Sequence, residues 1–149
     1  MAFKFRLQSV LTHRLYLEDV AKSELAVQVQ ARNRCQQRID WLQEEMSRYR
    51  REMAEKEKHG MAAGEFILAN EYVTVLRLQI MREQSKLPLL DAQIELARQN
   101  LVKAVQNRKA MEILRSRDLE QYTQVQLKLE QNLLDEVAVS AFVRNSYGQ

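Results

Sequence analysis

Apolar residues recur along this chain in alternating steps of four and three. The pattern is cleanest in the second half, where Ala69, Val73, Leu76, Ile80, Glu83, Leu87, Leu90, Ile94, Ala97, Leu101 and Ala104 keep it without a slip, and only Glu83 is polar. Such spacing lays one apolar stripe along a helix and is the seam of a coiled coil. Cys35, Ile39, Leu42, Met46, Tyr49 and Met53 repeat it in the first half. Further upstream the stripe loosens: Leu7, Val10, Leu17, Ala21 and Leu25 follow it, while Arg14, Glu24 and Gln28 interrupt it.

Between the two runs lies His59-Gly60-Met61-Ala62-Ala63-Gly64. Gly60 suits a left-handed cap that ends the first helix. Gly64 would let the chain reverse before the next, with Glu65 or Asn70 helping to satisfy its first amides. The reading is therefore an all-α chain of two long helices, about residues 3–58 and 66–143, with a loop over about 59–65, in one elongated domain spanning 1–149. Pro88 falls inside the second run. It removes a backbone donor and crowds the preceding turn, which predicts a local kink, but the seam stays in phase through Leu87 and Leu90 and the helix is expected to continue.

Neither helix can bury its stripe by itself, so the short loop predicts an antiparallel coiled-coil hairpin. With the turn centred near residues 62–63, position i faces about position 125 − i, which brings Phe3 to the neighbourhood of Tyr122. The second helix is then the longer one. Its overhang, Thr123–Arg144, carries Val125, Leu127, Leu129, Leu133, Leu134, Val137, Val139, Phe142 and Val143. An unpaired apolar stretch of this size marks an interaction site.

Composition agrees with rods. Only 3 Gly and 1 Pro occur in 149 residues, against a usual share of roughly 12% for the two together. Sandwiches, barrels and α/β folds need far more turns than that supplies. The net charge of +3 comes from 23 basic and 20 acidic residues, a mixed surface that gives nucleic-acid binding little support. One cysteine, Cys35, cannot form an internal disulfide, which points to a reducing compartment. Lys4, Arg6, His13 and Arg14 interrupt Met1–Leu17, so no signal-type apolar core is expected there, and no apolar run is long enough to span a membrane. A cytoplasmic protein is expected.

No catalytic constellation stands out, so no enzymatic activity, cofactor or metal is expected. His13 and His59 are far apart, Cys35 sits on the seam, and the pairs Glu44-Glu45 and Asp135-Glu136 read as solvated helix surface. Two charged features each leave two readings open. From Arg98 to Arg117 six cations, Arg98, Lys103, Arg108, Lys109, Arg115 and Arg117, face one anion, Glu112. They form either a solvated helix face with side chains snorkelling from a fraying seam, or a surface for an acidic protein partner. Phe3-Lys4-Phe5-Arg6-Leu7 is either an anchor to a membrane or protein groove, or a helical start packed on Tyr122.

The two ends carry a resemblance. The opening Phe3-Lys4-Phe5-Arg6-Leu7-Gln8-Ser9-Val10-Leu11, followed by Arg14 and a long charged helix, resembles the start of the FliJ family of bacterial flagellar export proteins. The closing Leu134-Asp135-Glu136-Val137-Ala138 is similar to that family's C-terminal signature. The resemblance covers nearly the whole chain and implies a stalk of the flagellar type III export apparatus, similar to the rotary shaft of F-type ATPases. It implies three partners: the export ATPase FliI, whose hexamer such proteins promote; the export gate protein FlhA; and export chaperones. It places the chain in the cytoplasm, peripheral to the inner membrane at the flagellar base.

By the same resemblance, a gate-binding patch falls on Leu42, Tyr49, Tyr72 and Leu76. Arg38, Glu45, Gln79 and Glu83 depart from the family's types there, and Leu42, Tyr49 and Leu76 are also seam positions. The open end is the expected ATPase-ring surface, through Arg108, Lys109, Arg115, Arg117, Leu133, Leu134, Val137 and Phe142. Two alternatives remain at this point: a self-associating coiled-coil adaptor, and the corresponding stalk of a virulence-type secretion system.

Overall fold

The computed structural model describes residues 2–148. They form two helices packed against each other, α1 over Gln8–Lys58 and α2 over Ala63–Tyr147. Their contacts gather in two units: Asp19–Lys103, which holds the loop, and a second unit made of the chain up to Glu18 and from Ala104 onward.

In the loop-containing unit the core is the seam predicted above. Cys35, Ile39 and Leu42 of α1 are buried, as are Ala69, Leu76, Ile80, Ile94 and Ala97 of α2. Leu42, Leu76 and Ile80 form its tightest cluster, with Met46 packed against it. Burying such side chains is worth about 1.5–3 kcal/mol each, and this burial holds together helices whose own propensity is marginal.

The loop is shorter than its sequence suggests. The amides of His59 and Gly60 donate to the carbonyls of Lys56 and Glu57, at 3.1 and 3.3 Å, and tighten the end of α1. Gly60 then takes φ 92°, the left-handed conformation that a Cβ disfavours. Gly64, expected in the reversal, instead lies in the first turn of α2. The Phe66 amide already donates to the Ala62 carbonyl at 3.1 Å. Glu65 sits in that first turn, where its charge suits the helix dipole, while Asn70 lies well inside the helix and accepts from Thr74.

The early turn shifts the pairing beside the loop. Tyr49 meets Tyr72, with ring centroids 4.5 Å apart, where the expected pairing placed position 76. The two glycines therefore predict opposite outcomes. Gly60→Ala strains a positive φ and should cost about 1 kcal/mol. Gly64→Ala places a methyl where no atom lies within 4 Å and should stabilise by about 0.4–1 kcal/mol. Urea midpoints of the two variants, moving in opposite directions, check this.

α2 runs unbroken through Pro88, as expected. At the other end α1 begins at Gln8, not near Phe3, and the segment before it is irregular. Its alternation explains why: Phe3 and Phe5 point one way and Lys4 and Arg6 the other, a period of two that suits an extended chain rather than a helix. Phe5 is buried, its carbonyl accepts the Gln8 amide at 3.1 Å, and the Phe3 ring lies 5.6 Å from Tyr122. The contact with Tyr122 is the expected one; the helical start is not.

Candidate partner-binding surfaces

The loop-containing unit holds Leu42, Tyr49, Tyr72 and Leu76, the four residues that the resemblance assigns to a gate patch, and the structure divides them. Leu42 is fully buried and Leu76 nearly so; they are core, closed off from any partner while the helices stay paired. Tyr49 is half-buried and Tyr72 exposed. The Tyr72 hydroxyl donates to Glu45 Oε1 at 3.4 Å, and the Arg48 guanidinium holds the same carboxylate at 2.7 Å. Desolvation, then the neighbouring Glu45, pushes the Tyr72 phenol above its ordinary value. What remains accessible is an aromatic edge backed by a carboxylate–guanidinium pair.

One polar layer crosses the seam of this unit. The Cys35 thiol lies 3.3 Å from the Glu83 carbonyl and 3.6 Å from its carboxylate. Lys86 Nζ donates to the same carboxylate at 2.9 Å. The Lys86 hydrogen bond holds the Glu83 carboxyl below its ordinary range, against the opposing effect of burial. Burial, then Glu83, pushes the Cys35 thiol up. The signs differ. Glu83 adds stability that is present above the ordinary carboxylate value and is lost as pH falls through its lowered folded value. The buried thiol adds stability that is present below the ordinary thiol value and is lost as pH rises beyond it. Glu83→Gln should therefore flatten the acid limb of a stability–pH profile and weaken the alkaline limb without abolishing it, because burial of Cys35 remains while the Glu83 charge is gone; thermal melts between pH 3 and 10 will check this.

In the second unit, sequence spacing missed the most consequential residue. Glu18 is buried. It accepts a close hydrogen bond from Arg108 Nε, and Arg108 Nη1 donates to Glu112 at 2.7 Å. Glu112, then Glu18, raises the Arg108 guanidinium further above its already high value. Extending the four–three spacing upstream from Cys35 reaches Arg32, Gln28, Leu25, Ala21 and Glu18, so the signal was present; following Leu17 instead hid it. The same extension finds Arg32, which bridges to Asp91 at 3.2 Å in the loop-containing unit.

Arg108 is thus held inside the second unit rather than offered to a partner. Lys109, Arg115 and Arg117 are exposed. Past Tyr122, α2 stays open to solvent: Leu133, Leu134, Val137 and Phe142 are 61%, 69%, 63% and 73% exposed. Large apolar side chains in this state are the signature of a surface made for contact.

Among the described residues no group of His, Cys, Asp and Glu could hold a metal ion. His13 stacks on Tyr16 and His59 lies near Glu55. No helix of the described residues is long and apolar enough to cross a membrane.

Paired helices that bury an apolar seam define a helical-hairpin coiled-coil protein. Residues 3–146 match the family model described as flagellar FliJ protein, and the chain belongs to that family. Membership makes it a flagellar export-associated protein, and the family is a non-enzymatic component of that machinery. Neither a curated protein nor a solved structure matches the chain.

Proposed function

We propose that the chain is a stalk-like component of the flagellar export apparatus that promotes assembly and activity of the export ATPase ring, FliI. The observation that carries this reading is the exposed apolar length of α2 beyond Tyr122, whose Leu133, Leu134, Val137 and Phe142 have no cover. A ring whose collar is apolar, with acidic groups for Lys109, Arg115 and Arg117, would complement it. Family membership supplies the setting. In this reading the protein works in the cytoplasm, beside the inner membrane at the flagellar base. It also links the ATPase to the gate protein FlhA and to export chaperones. The Tyr49–Tyr72 edge is the accessible part of the gate patch, while Leu42 and Leu76 act on that patch only by holding its helices together.

A chain truncated after Tyr122 tests the reading. It should lose stimulation of the purified export ATPase and fail to promote its hexamer, while keeping the Leu42 core and its helical signal. Undiminished stimulation would sink the proposal. Sedimentation of the full chain at micromolar concentration separates it from self-association, since a stable homodimer through the open end would cover the surface that the ring needs.

A further inference from the structure

A two-helix seam uses one face of each helix, and the other faces are expected to be polar. α2 departs from this between Leu68 and Leu96. Leu68, Val75, Leu89 and Leu96 recur at multiples of seven, each one residue before a seam position, and Leu78 and Met81 flank them. All six are 48–68% exposed. From Leu68 to Leu96 the row covers 29 residues, about 42 Å of helix. It lies wholly within the loop-containing unit, and at its loop end Tyr72, between Leu68 and Val75 on the same helix surface, borders it.

The row has one charged member. Arg82 takes the middle position, where the spacing calls for an apolar residue, and it is exposed. Among the described residues it makes no ion pair. It lines one groove with Arg38 and Lys86. The carboxylate there, Glu83, is already held by Lys86 and lies against Cys35. The groove therefore keeps an excess of positive charge beside an apolar stripe.

We infer that this outward face of α2 takes an amphipathic helix of another protein, one whose apolar residues recur every seven and whose central member is a carboxylate. The chain already uses this arrangement in its own seam, where Arg108 at a seam position meets the buried Glu18. A second copy of the chain fits poorly. The row is symmetric about Arg82, so both parallel and antiparallel self-pairing through it set one Arg82 against another. A carboxylate at the centre supplies the missing charge and excludes partners without it.

The test uses the full chain and two synthetic amphipathic peptides of about 30 residues, long enough to cover the row. They are identical except for Glu or Lys at the central heptad position. Fluorescence anisotropy should show the Glu peptide binding at least about tenfold more tightly. Arg82→Glu should reverse that preference, and Leu89→Gln should weaken the Glu peptide without reversing it. Both residues are exposed, so neither change threatens the fold. The inference is overturned by equal binding of the two peptides, by no saturable binding of the Glu peptide, or by a preference unchanged in Arg82→Glu. It is also overturned if the chain sediments as a dimer that Leu89→Gln dissolves.

Discussion

Replacing Leu42 with Ala should lower the free energy of unfolding by about 2–5 kcal/mol. Leu42 is the one large side chain among the described residues that is fully buried, and it packs with Leu76, Ile80 and Met46. Removing its branch loses transfer free energy and leaves a void that two long helices cannot close without shifting register. A loss of that size is a large part of the total stability of a small protein. Urea denaturation followed by circular dichroism measures it. The same substitution at Leu134, 69% exposed, should change stability by less than about 0.5 kcal/mol. The contrast separates two roles that the family resemblance merges. If Leu42→Ala left the midpoint unchanged, the residue would be a contact surface and not core. If it shifts the midpoint as expected, weaker gate binding by that variant reports damaged helices rather than a lost contact.

The second large effect is expected at Glu18. Glu18→Arg would set two guanidinium groups together where a carboxylate now accepts from Arg108 Nε. Breaking a buried pair leaves an uncompensated charge, and reversing it adds repulsion. Amide exchange should show the chain from Gln8 to Glu18 losing protection while the residues around Leu42 and Ile80 keep theirs, because stability need not be uniform along a structure. The swapped pair, Glu18→Arg with Arg108→Glu, should recover much of the loss. Recovery should fall short of complete, because Glu112, which now pairs with Arg108 at 2.7 Å, would then face a like charge one turn away. A reversed Glu18 with undiminished protection would show that the pair does not hold this unit together.

Much of this protein was legible as a pattern. The four–three spacing from Ala69 to Ala104 identified α2 and its buried face, because a helix that buries one stripe must repeat its apolar residues at the helical period. The shortage of glycine placed the fold-back near Gly60. The exposed end beyond Tyr122 followed from the unequal lengths of the two helices. What misled was local. A glycine is permitted in a loop but not confined to one, so Gly64 could join the first turn of α2 once Ala62 began the helical hydrogen bonds. Basic and aromatic residues alternate at Phe3–Leu7 with a period of two, so of the start expected there the contact with Tyr122 forms and the helix begins only at Gln8.

By itself, then, the sequence determined the two helices, their seam and the segment of α2 left without cover. These depend on periodicity and length, which are properties of one chain read in order. Only the tertiary structure decided which seam residues face each other. Register beside the loop depends on how few residues the turn consumes, so Tyr49 meets Tyr72 there, while farther along Phe3 still meets Tyr122. That decision placed Tyr72, rather than Leu76, opposite Tyr49. It also withdrew Arg108 from the surface into a pair with Glu18.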